Sequence, residues 1–332
     1  MSSDHRILHA FGSFQHGCCD IVSQAFKSSR LGPSDGLSVG QWVESAAQAM
    51  EAGGLYFGHG TANGIDEACW MVSHVMALPP DFPDTVFDQP LDETLRAKLD
   101  ALCLSRIQTR KPLAYLIGQA WFAGLSLEVS DAALVPRSPM AEVILGNALP
   151  WFDFHEARRV LDVGTGSGAI ALAMAHHWPQ VSVDAVDISP EALALAERNI
   201  NRLGLASRVS LYLSDVYEAL SQQRFDVILA NPPYVPVPSM ENLPEEYRHE
   251  PSLGLVAGDS GLDVTIRLVT EASSHLEDGG VLICEVGEAA EAFDEWALAR
   301  RLEIVWLEFE HGGDGVFLVT KDALLTSLAA PK

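Results

Sequence analysis

From Val160 onward the chain predicts an α/β fold, a mostly parallel, doubly wound sheet of seven strands, with a small helical domain before it. Three observations carry that expectation. Strand-like and helix-like runs alternate from Val160 to Thr320. The segment Val160-Leu-Asp-Val-Gly-Thr-Gly-Ser-Gly-Ala169 ends one strand and opens a helix through a glycine-rich turn. Finally, the last two strand-like runs are joined only by His311 to Gly315, too short for a parallel crossover, so the final strand is expected antiparallel.

In chain order, about 30 residues of mixed composition precede three segments with helical spacing: Val39 to Met50, Ile65 to Ala77 and Leu91 to Thr109. Asp92 and Glu93 open the third, and Arg106, Arg110 and Lys111 close it, each charge matching its end of the helix dipole. Breakers at Gly53, Gly54, Gly58, Gly60, Pro79, Pro80 and Pro83 separate these pieces. Gly58, His59, Gly60 and Thr61 resemble a site loop, but a helix-entry turn accounts for them as well. Trp121 to Arg137 alternates around Leu125, Leu127, Val129, Leu134 and Val135 and predicts a β-hairpin. Strands are then expected at Val160 to Val163, Ser182 to Asp187, Val209 to Leu213, Phe225 to Ala230, Val281 to Val286, Glu303 to Phe309 and Val316 to Thr320. Helices are expected at Ala169 to His177, Pro190 to Leu203, Leu262 to Leu276 and Ala289 to Arg300. The reading divides the chain into residues 1–118, a helical part; 119–147, a hairpin linker; and 148–332, the α/β part.

Composition narrows the classes. A chain of 332 residues that is 48% hydrophobic and 20% charged has the make-up of a soluble globular protein with a large core. Its formal charge of −24 argues against holding nucleic acid through phosphates and favours basic partners, although solubility alone would also account for it. Acid is concentrated late: Glu271 to Glu310 carries 11 carboxylates against Arg300 and Arg301. Cys18, Cys19, Cys69, Cys103 and Cys284 form no C-x-x-C pair, and Cys18 and Cys19 with His16 lack further ligands, so reduced thiols and no metal are expected. The N-terminus lacks the pattern of a signal peptide, and no apolar run reaches the ~18 residues a membrane helix needs. A cytoplasmic location is expected, without membrane contact.

The glycine turn points to a ligand. Gly164, Gly166 and Gly168 remove side chains that would block a molecule lying across the carboxyl end of the first strand. The same residues satisfy G-x-G-x-x-A, and Asp187 follows Gly168 by 19 residues at the end of the second strand, so an NAD-dependent dehydrogenase is one reading. In either case a carboxylate at Asp187 accepts hydrogen bonds from ribose hydroxyls. Three features favour S-adenosyl-L-methionine instead: the G-x-G-x-G spacing after Asp162, Ser214-Asp215 closing the third strand where adenine contacts fall, and Asn231-Pro-Pro-Tyr234 closing the fourth.

That tetrapeptide carries the most chemistry. An amide or exocyclic amine is a poor nucleophile because its lone pair is delocalised, so an enzyme alkylating it must hold the nitrogen by its hydrogens. The Asn231 side-chain carbonyl and the Pro232 backbone carbonyl can accept both N–H bonds of a planar NH2 group. Pro232 and Pro233 stiffen the backbone, and Tyr234 can lie flat against the group. A Pro-rich turn ending a strand is the plainer alternative.

With DVGTGSG, VDIS, SD and NPPY in order over Asp162 to Tyr234, the chain resembles the class I methyltransferases, Rossmann-like enzymes that modify amide or amino nitrogens. Arg110-Lys-Pro-Leu-Ala-Tyr115, Trp121-Phe-Ala-Gly-Leu125 and Val135-Pro-Arg137 resemble the region shared by glutamine N(5)-methyltransferases, rather than nucleic-acid adenine methyltransferases. Where the release-factor branch reads PRPETE, this chain has Pro136-Arg-Ser-Pro-Met-Ala-Glu142. With His59-Gly-Thr61 and Leu243-Pro-Glu-Glu-Tyr-Arg-His-Glu-Pro251, that departure is similar to the branch that methylates large-subunit ribosomal protein three. The resemblance implies that Gly164, Thr165, Gly166, Ser167, Gly168, Asp187, Asp215, Val216 and Asn231 meet the cofactor, Val216 near adenine. It also implies that Asn231, Pro232, Pro233 and Tyr234 hold the substrate glutamine. Phe122 is placed near the active site by the same comparison, with core packing as the alternative. A basic ribosomal protein, free or during assembly, is the implied partner, bound through the helical part; a release factor, an adenine base and a non-catalytic assembly role are the competing readings. For Arg248 and His249 a structural or substrate-loop role is expected, and Glu285 is left open between a buried, paired acid and an exposed one.

Overall fold

The computed structural model describes residues 36–146, 152–310 and 313–328. His16, Cys18, Cys19, the end of the expected linker and His311 in the expected last turn lie outside the described residues. The chain forms two compact units: one runs to Gln119 and also takes in Pro244–His249, and the other comprises Ala120–Leu243 and the chain from Glu250.

The first unit is built from α1 (Val39–Ala52), α2 (Gly64–Val75), α3 (Glu93–Thr109) and α4 (Leu113–Ile117). Local chemistry sets their ends. Ser38 and Gln41 form a reciprocal capping box on α1, while Asn63 and Asp92 accept from the N–H of Asp66 and Leu95 at the starts of α2 and α3. α1 buries Val39, Trp42, Val43, Ala46, Ala47 and Met50, one face at helical spacing. The sequence gives no sign of α4, a five-residue turn of helix closed by Gly118.

In the second unit, β1 (Gln119–Phe122) and β2 (Leu125–Glu128) pair as a hairpin around Ala123 and Gly124, both at positive φ. The expected hairpin is too long: it stops at Glu128 instead of reaching Arg137. Beyond it the Val135 N–H bonds the Glu250 carboxylate rather than a neighbouring strand, and Pro136 has no N–H to give. A short helix α5 (Met140–Leu145) follows.

The sheet contains β3 (Arg159–Val163), β4 (Ser182–Asp187), β5 (Val209–Leu213), β6 (Phe225–Ala230), β7 (Leu276–Glu285), β8 (Val305–Trp306) and β9 (Val316–Thr320). Their spatial order is β5-β4-β3-β6-β7-β9-β8. β3 to β7 pair in parallel, and β9 runs antiparallel between β7 and β8, as expected of a seven-stranded sheet with a reversed last strand. β8 keeps only two of the seven expected residues and lies at the sheet edge, with β9 as its one partner. Helices α6 (Ala169–His177), α7 (Pro190–Leu203), α8 (Asp263–His275), α9 (Ala290–Ala299) and α10 (Lys321–Leu328) complete the unit.

Alternate strand residues feed two cores. Val160, Val183, Val227, Leu229, Val281 and Ile283 pack with α6 on one face, whereas Leu161, Val163, Val186, Ile228 and Leu282 pack with α8 and α9 on the other. The helix after β3 thus covers one face and the helix after β6 the opposite one. A crevice opens between the carboxyl ends of two such adjacent strands, and open α/β sheets bind their ligands there.

Candidate active site

Both segments singled out by their chemistry flank that crevice. Past the end of β3, the N–H groups of Gly164 and Thr165 donate to the Val186 carbonyl at 2.9 and 3.0 Å, carrying the β3–β4 join into the glycine turn. Gly164 (φ 76°) and Gly166 (φ 56°) hold left-handed conformations that other residues adopt at a cost. A Cβ built on Gly164 would stand 3.7 Å from the Asn231 carbonyl oxygen, so the turn lies directly against the NPPY segment. Thr165 and Ser167 are buried; the Thr165 hydroxyl donates to Asp162 at 2.6 Å, and the Ser167 carbonyl accepts from Asn199 at 2.9 Å.

Asp187 shapes the turn. Its Oδ2 accepts from the Gly166 N–H at 2.8 Å and its Oδ1 from the Ser189 N–H at 2.9 Å, which leaves lone pairs on both oxygens. Burial raises its pKa even though those N–H groups oppose the shift. Asp162 below is completely buried, and burial pushes its pKa up to about 7 against the hydrogen bonds from Thr165 and Ala171. No hydrogen bond reaches its Oδ1 among the described residues.

At the end of β5, Ser214 donates its N–H to the Asp187 carbonyl at 3.0 Å and its hydroxyl to the Val216 carbonyl at 3.0 Å. Val216 is left-handed (φ 52°), a conformation that costs a β-branched residue about 1–3 kcal/mol. Its side chain packs in the core on the α8 face. The Asp215 carboxylate is half-exposed and engaged by Arg267 Nη1 at 3.0 and 3.1 Å. Phe122 is buried in the core with Leu127, Met140 and Ile144.

At the end of β6, no described residue hydrogen-bonds the Asn231 side chain or the Pro232 carbonyl. Just beyond, the Val235 N–H donates to the Leu255 carbonyl at 2.8 Å, and Ala257 N–H donates back to the Val235 carbonyl at 3.0 Å, so the chain leaving NPPY is clamped. Tyr234 OH donates to Glu285 Oε1 at 3.3 Å, and the ring lies on Gly287, where a Cβ would stand 2.7 Å from Cε2. Glu285 is buried, at the end of β7, and Ser138 Oγ donates to its Oε2 at 2.5 Å. Burial pushes its pKa up to about 7, outweighing the bonds from Ser138 and Tyr234 and the charge of Arg137. Arg137 itself grips Glu250 through two bonds of 2.6 Å.

Sequence reasoning did not find Asn199, Ser138 or Glu250 as individual supports. Ser138 and Glu250 stood inside quoted motifs, PRSPMAE and LPEEYRHEP, and only the fold brings them toward the NPPY support. Asn199 gave no signal, yet its buried amide bonds Glu128 N–H, the Glu128 carbonyl and the Ser167 carbonyl, tying β2 and α7 to the glycine turn. His249 and Arg248 belong to the helical unit; His249 Nε2 lies 2.9 Å from the Thr109 carbonyl and Arg248 is exposed. Thr61 donates to Glu67 in the first turn of α2, in keeping with a helix-entry turn for the Gly58–Thr61 loop. Among the described residues no cluster of potential ligands could hold a metal ion, and no helix is long and apolar enough to cross a membrane.

A family model described as "Methyltransferase small domain" matches residues 144–241, a span that holds the glycine turn, Asp187 and NPPY. A ribosomal protein uL3 glutamine methyltransferase of Xanthomonas campestris pv. campestris is 43% identical over 285 residues, 84% of this chain and 92% of that protein. A protein of the same name from Xylella fastidiosa is 43% identical over 277 residues, 83% of this chain and 88% of its own length. Another, from Francisella tularensis subsp. tularensis, is 37% identical over 290 residues, 87% and 91% of the two chains.

Proposed function

This chain belongs to the family of ribosomal protein uL3 glutamine methyltransferases, and from that premise we propose that it methylates the side-chain amide nitrogen of a glutamine in uL3, with S-adenosyl-L-methionine as donor. The observation that carries the reading is the pair of acceptors, the Asn231 amide oxygen and the Pro232 carbonyl, without partners among the described residues beside a glycine turn open to a ligand. Mass spectrometry of ribosomal proteins from cells lacking the enzyme tests it. One methyl group should disappear from one uL3 glutamine, and an unchanged uL3 mass would refute the assignment.

The residues fit the cofactor. Gly164 and Gly166 present backbone without side chains, and Asp187 keeps acceptor capacity for ribose hydroxyls. When bound, S-adenosyl-L-methionine supplies an electrophilic methyl group on a sulfonium. Asn231 and Pro232 accept the two amide hydrogens of the glutamine and fix the direction of its nitrogen lone pair. Both carbonyls also stabilise positive charge as it develops on that nitrogen. Tyr234 supports the flat amide from its side. No strong base is required, since the methylated amide releases its extra proton readily to water, and neither His249 nor Arg248 is assigned a proton-transfer role. Asp187→Ala should weaken S-adenosyl-L-methionine binding by about 10- to 100-fold, the worth of hydrogen bonds to a charged group. Calorimetric titration reads this directly, and an unchanged affinity would remove Asp187 from the cofactor site.

The helical part, residues 1–118, is assigned to substrate recognition, 119–147 to a linker and 148–332 to catalysis. A free ribosomal protein is basic, and a chain of net charge −24 attracts it by long-range steering. Assembled subunits expose RNA phosphates, which repel the same surface. The enzyme therefore acts in the cytoplasm on uL3 that is free or still assembling. Labelled methyl transfer should be faster into free uL3 than into mature large subunits and should slow as salt is added; the opposite order would overturn this point.

A further inference from the structure

We propose that Glu285 is a positioning residue for the glutamine acceptor: by gripping the Tyr234 hydroxyl it fixes the ring on which the substrate amide rests. The proposal rests on the functional reading above for its substrate, but its structural basis is independent.

Tyr234 is confined on several sides. Its hydroxyl donates to Glu285 Oε1 at 3.3 Å. Its ring covers Gly287, and its carbonyl faces Gly261, where a Cβ would stand 2.3 Å away. Of these restraints only the bond to Glu285 is directional and reversible. The carboxylate is oriented in turn: Ser138 donates its single hydroxyl hydrogen to Oε2 at 2.5 Å, and the Met140 N–H donates to Ser138 Oγ at 3.1 Å. A relay of four groups thus runs from the start of α5 to the acceptor ring. Proline at position 138 would interrupt it, having no hydroxyl.

Charge makes the relay sensitive to pH. Arg137 is the cation facing Glu285, but its guanidinium is committed to Glu250 through two bonds, so it contributes field rather than a contact. Tyr234 and the Ser138 hydroxyl contact the carboxylate, and the buried Cys284 thiol beside it is raised by its own burial and by Glu285. Both partners of the carboxylate are neutral donors, which is why burial dominates and ionisation waits until about pH 7. Above that value both oxygens accept. Below it the neutral carboxyl is a weaker acceptor with one oxygen protonated, and the longer contact, to Tyr234, is the one that weakens.

Two measurements test this. In protein carrying 13C-labelled tyrosine, with the Tyr234 signal assigned by its absence in Tyr234→Phe, the ring Cζ resonance should titrate near pH 7 and lose that step in Glu285→Gln. No step in the wild type, or a step that survives in Glu285→Gln, overturns the proposal whatever the enzyme methylates. In steady-state assays with uL3, KM for the protein should rise about tenfold from pH 8 to pH 6, following the fraction of ionised Glu285, with little change in kcat. Glu285→Gln, which like the protonated acid has a single acceptor oxygen, should hold KM near its pH 6 value throughout and so flatten that rise. A KM profile unchanged by Glu285→Gln sinks the positioning role. A wild-type enzyme that labels no uL3 refutes the substrate assignment instead, and the Tyr234 titration still decides the relay.

Discussion

Asn231→Ala is expected to lower kcat for methyl transfer into uL3 by about 100-fold or more, the loss seen when one preorganised polar group is removed from a developing charge. The nucleophile sets the requirement. Amide nitrogen shares its lone pair with the carbonyl, and attack requires the nitrogen to leave planarity while gaining positive charge. Two acceptors aimed at its hydrogens favour both changes, and with Asn231 truncated only the Pro232 carbonyl is left. The defect should appear in kcat more than in cofactor affinity, because Gly164 to Gly168 and Asp187 are untouched; S-adenosyl-L-methionine binding should change by less than about tenfold. Single-turnover transfer of labelled methyl separates the two. Near wild-type turnover would leave Pro232 as sufficient acceptor and remove Asn231 from the mechanism. Since Asn231 is half-buried and its side chain bonds no described residue, its truncation should leave the folded state intact.

Much of the fold was legible because central parallel strands bury both faces and therefore read as apolar runs. Val160–Val163 and Phe225–Ala230, in central β3 and β6, lie where the sequence put them, and so does the half-exposed edge strand Val209–Leu213. The glycine turn and NPPY were legible for a different reason, since each needs an uncommon backbone. What escaped was long-range. The stretch to Arg137 alternates like a strand, but the partner of Val135 is a carboxylate 115 residues away. β8 keeps two of its seven expected residues, although the other edge strand, β5, keeps all five. Phe122 packs in the core with Met140 and Ile144, neighbours that its own stretch does not reveal. Glu285 stayed undecided because burial, Ser138 and Tyr234 all arrive from elsewhere in the chain. The split unit was equally hidden: Pro244–His249 follows NPPY in sequence, yet packs with the helices.

That segment is held by a buried arginine of the helical unit. Arg106 is 1% exposed and donates through Nε to Glu67 at 2.6 Å, through Nη1 to Glu246 at 3.3 Å and through Nη2 to the Tyr56 carbonyl at 3.0 Å. Two buried carboxylates therefore depend on one guanidinium, with Arg110 assisting at Glu246. Their environments differ. Glu67 is raised by burial, which Arg106 only partly offsets, while at Glu246 the burial effect is outweighed by the Tyr56 N–H, its own backbone N–H, Arg110 and Arg106. Arg106→Met should destabilise the protein by about 3–5 kcal/mol, most of it the cost of stranding buried charge rather than of losing a favourable pair. The sign of the pH dependence follows. Without Arg106 the Glu67 carboxyl is raised further, so the folded variant holds a proton that the unfolded chain has released. Its stability should then fall as pH rises from the unfolded carboxylate range toward neutrality, and recover on acidification to about pH 5.5. Urea denaturation at the two ends of that range measures this, and Glu67→Gln in the Arg106→Met background should restore part of the loss at neutral pH. If Arg106→Met unfolds at the wild-type urea concentration at both pH values, the carboxylates find other partners and the anchoring of Pro244–His249 does not depend on Arg106.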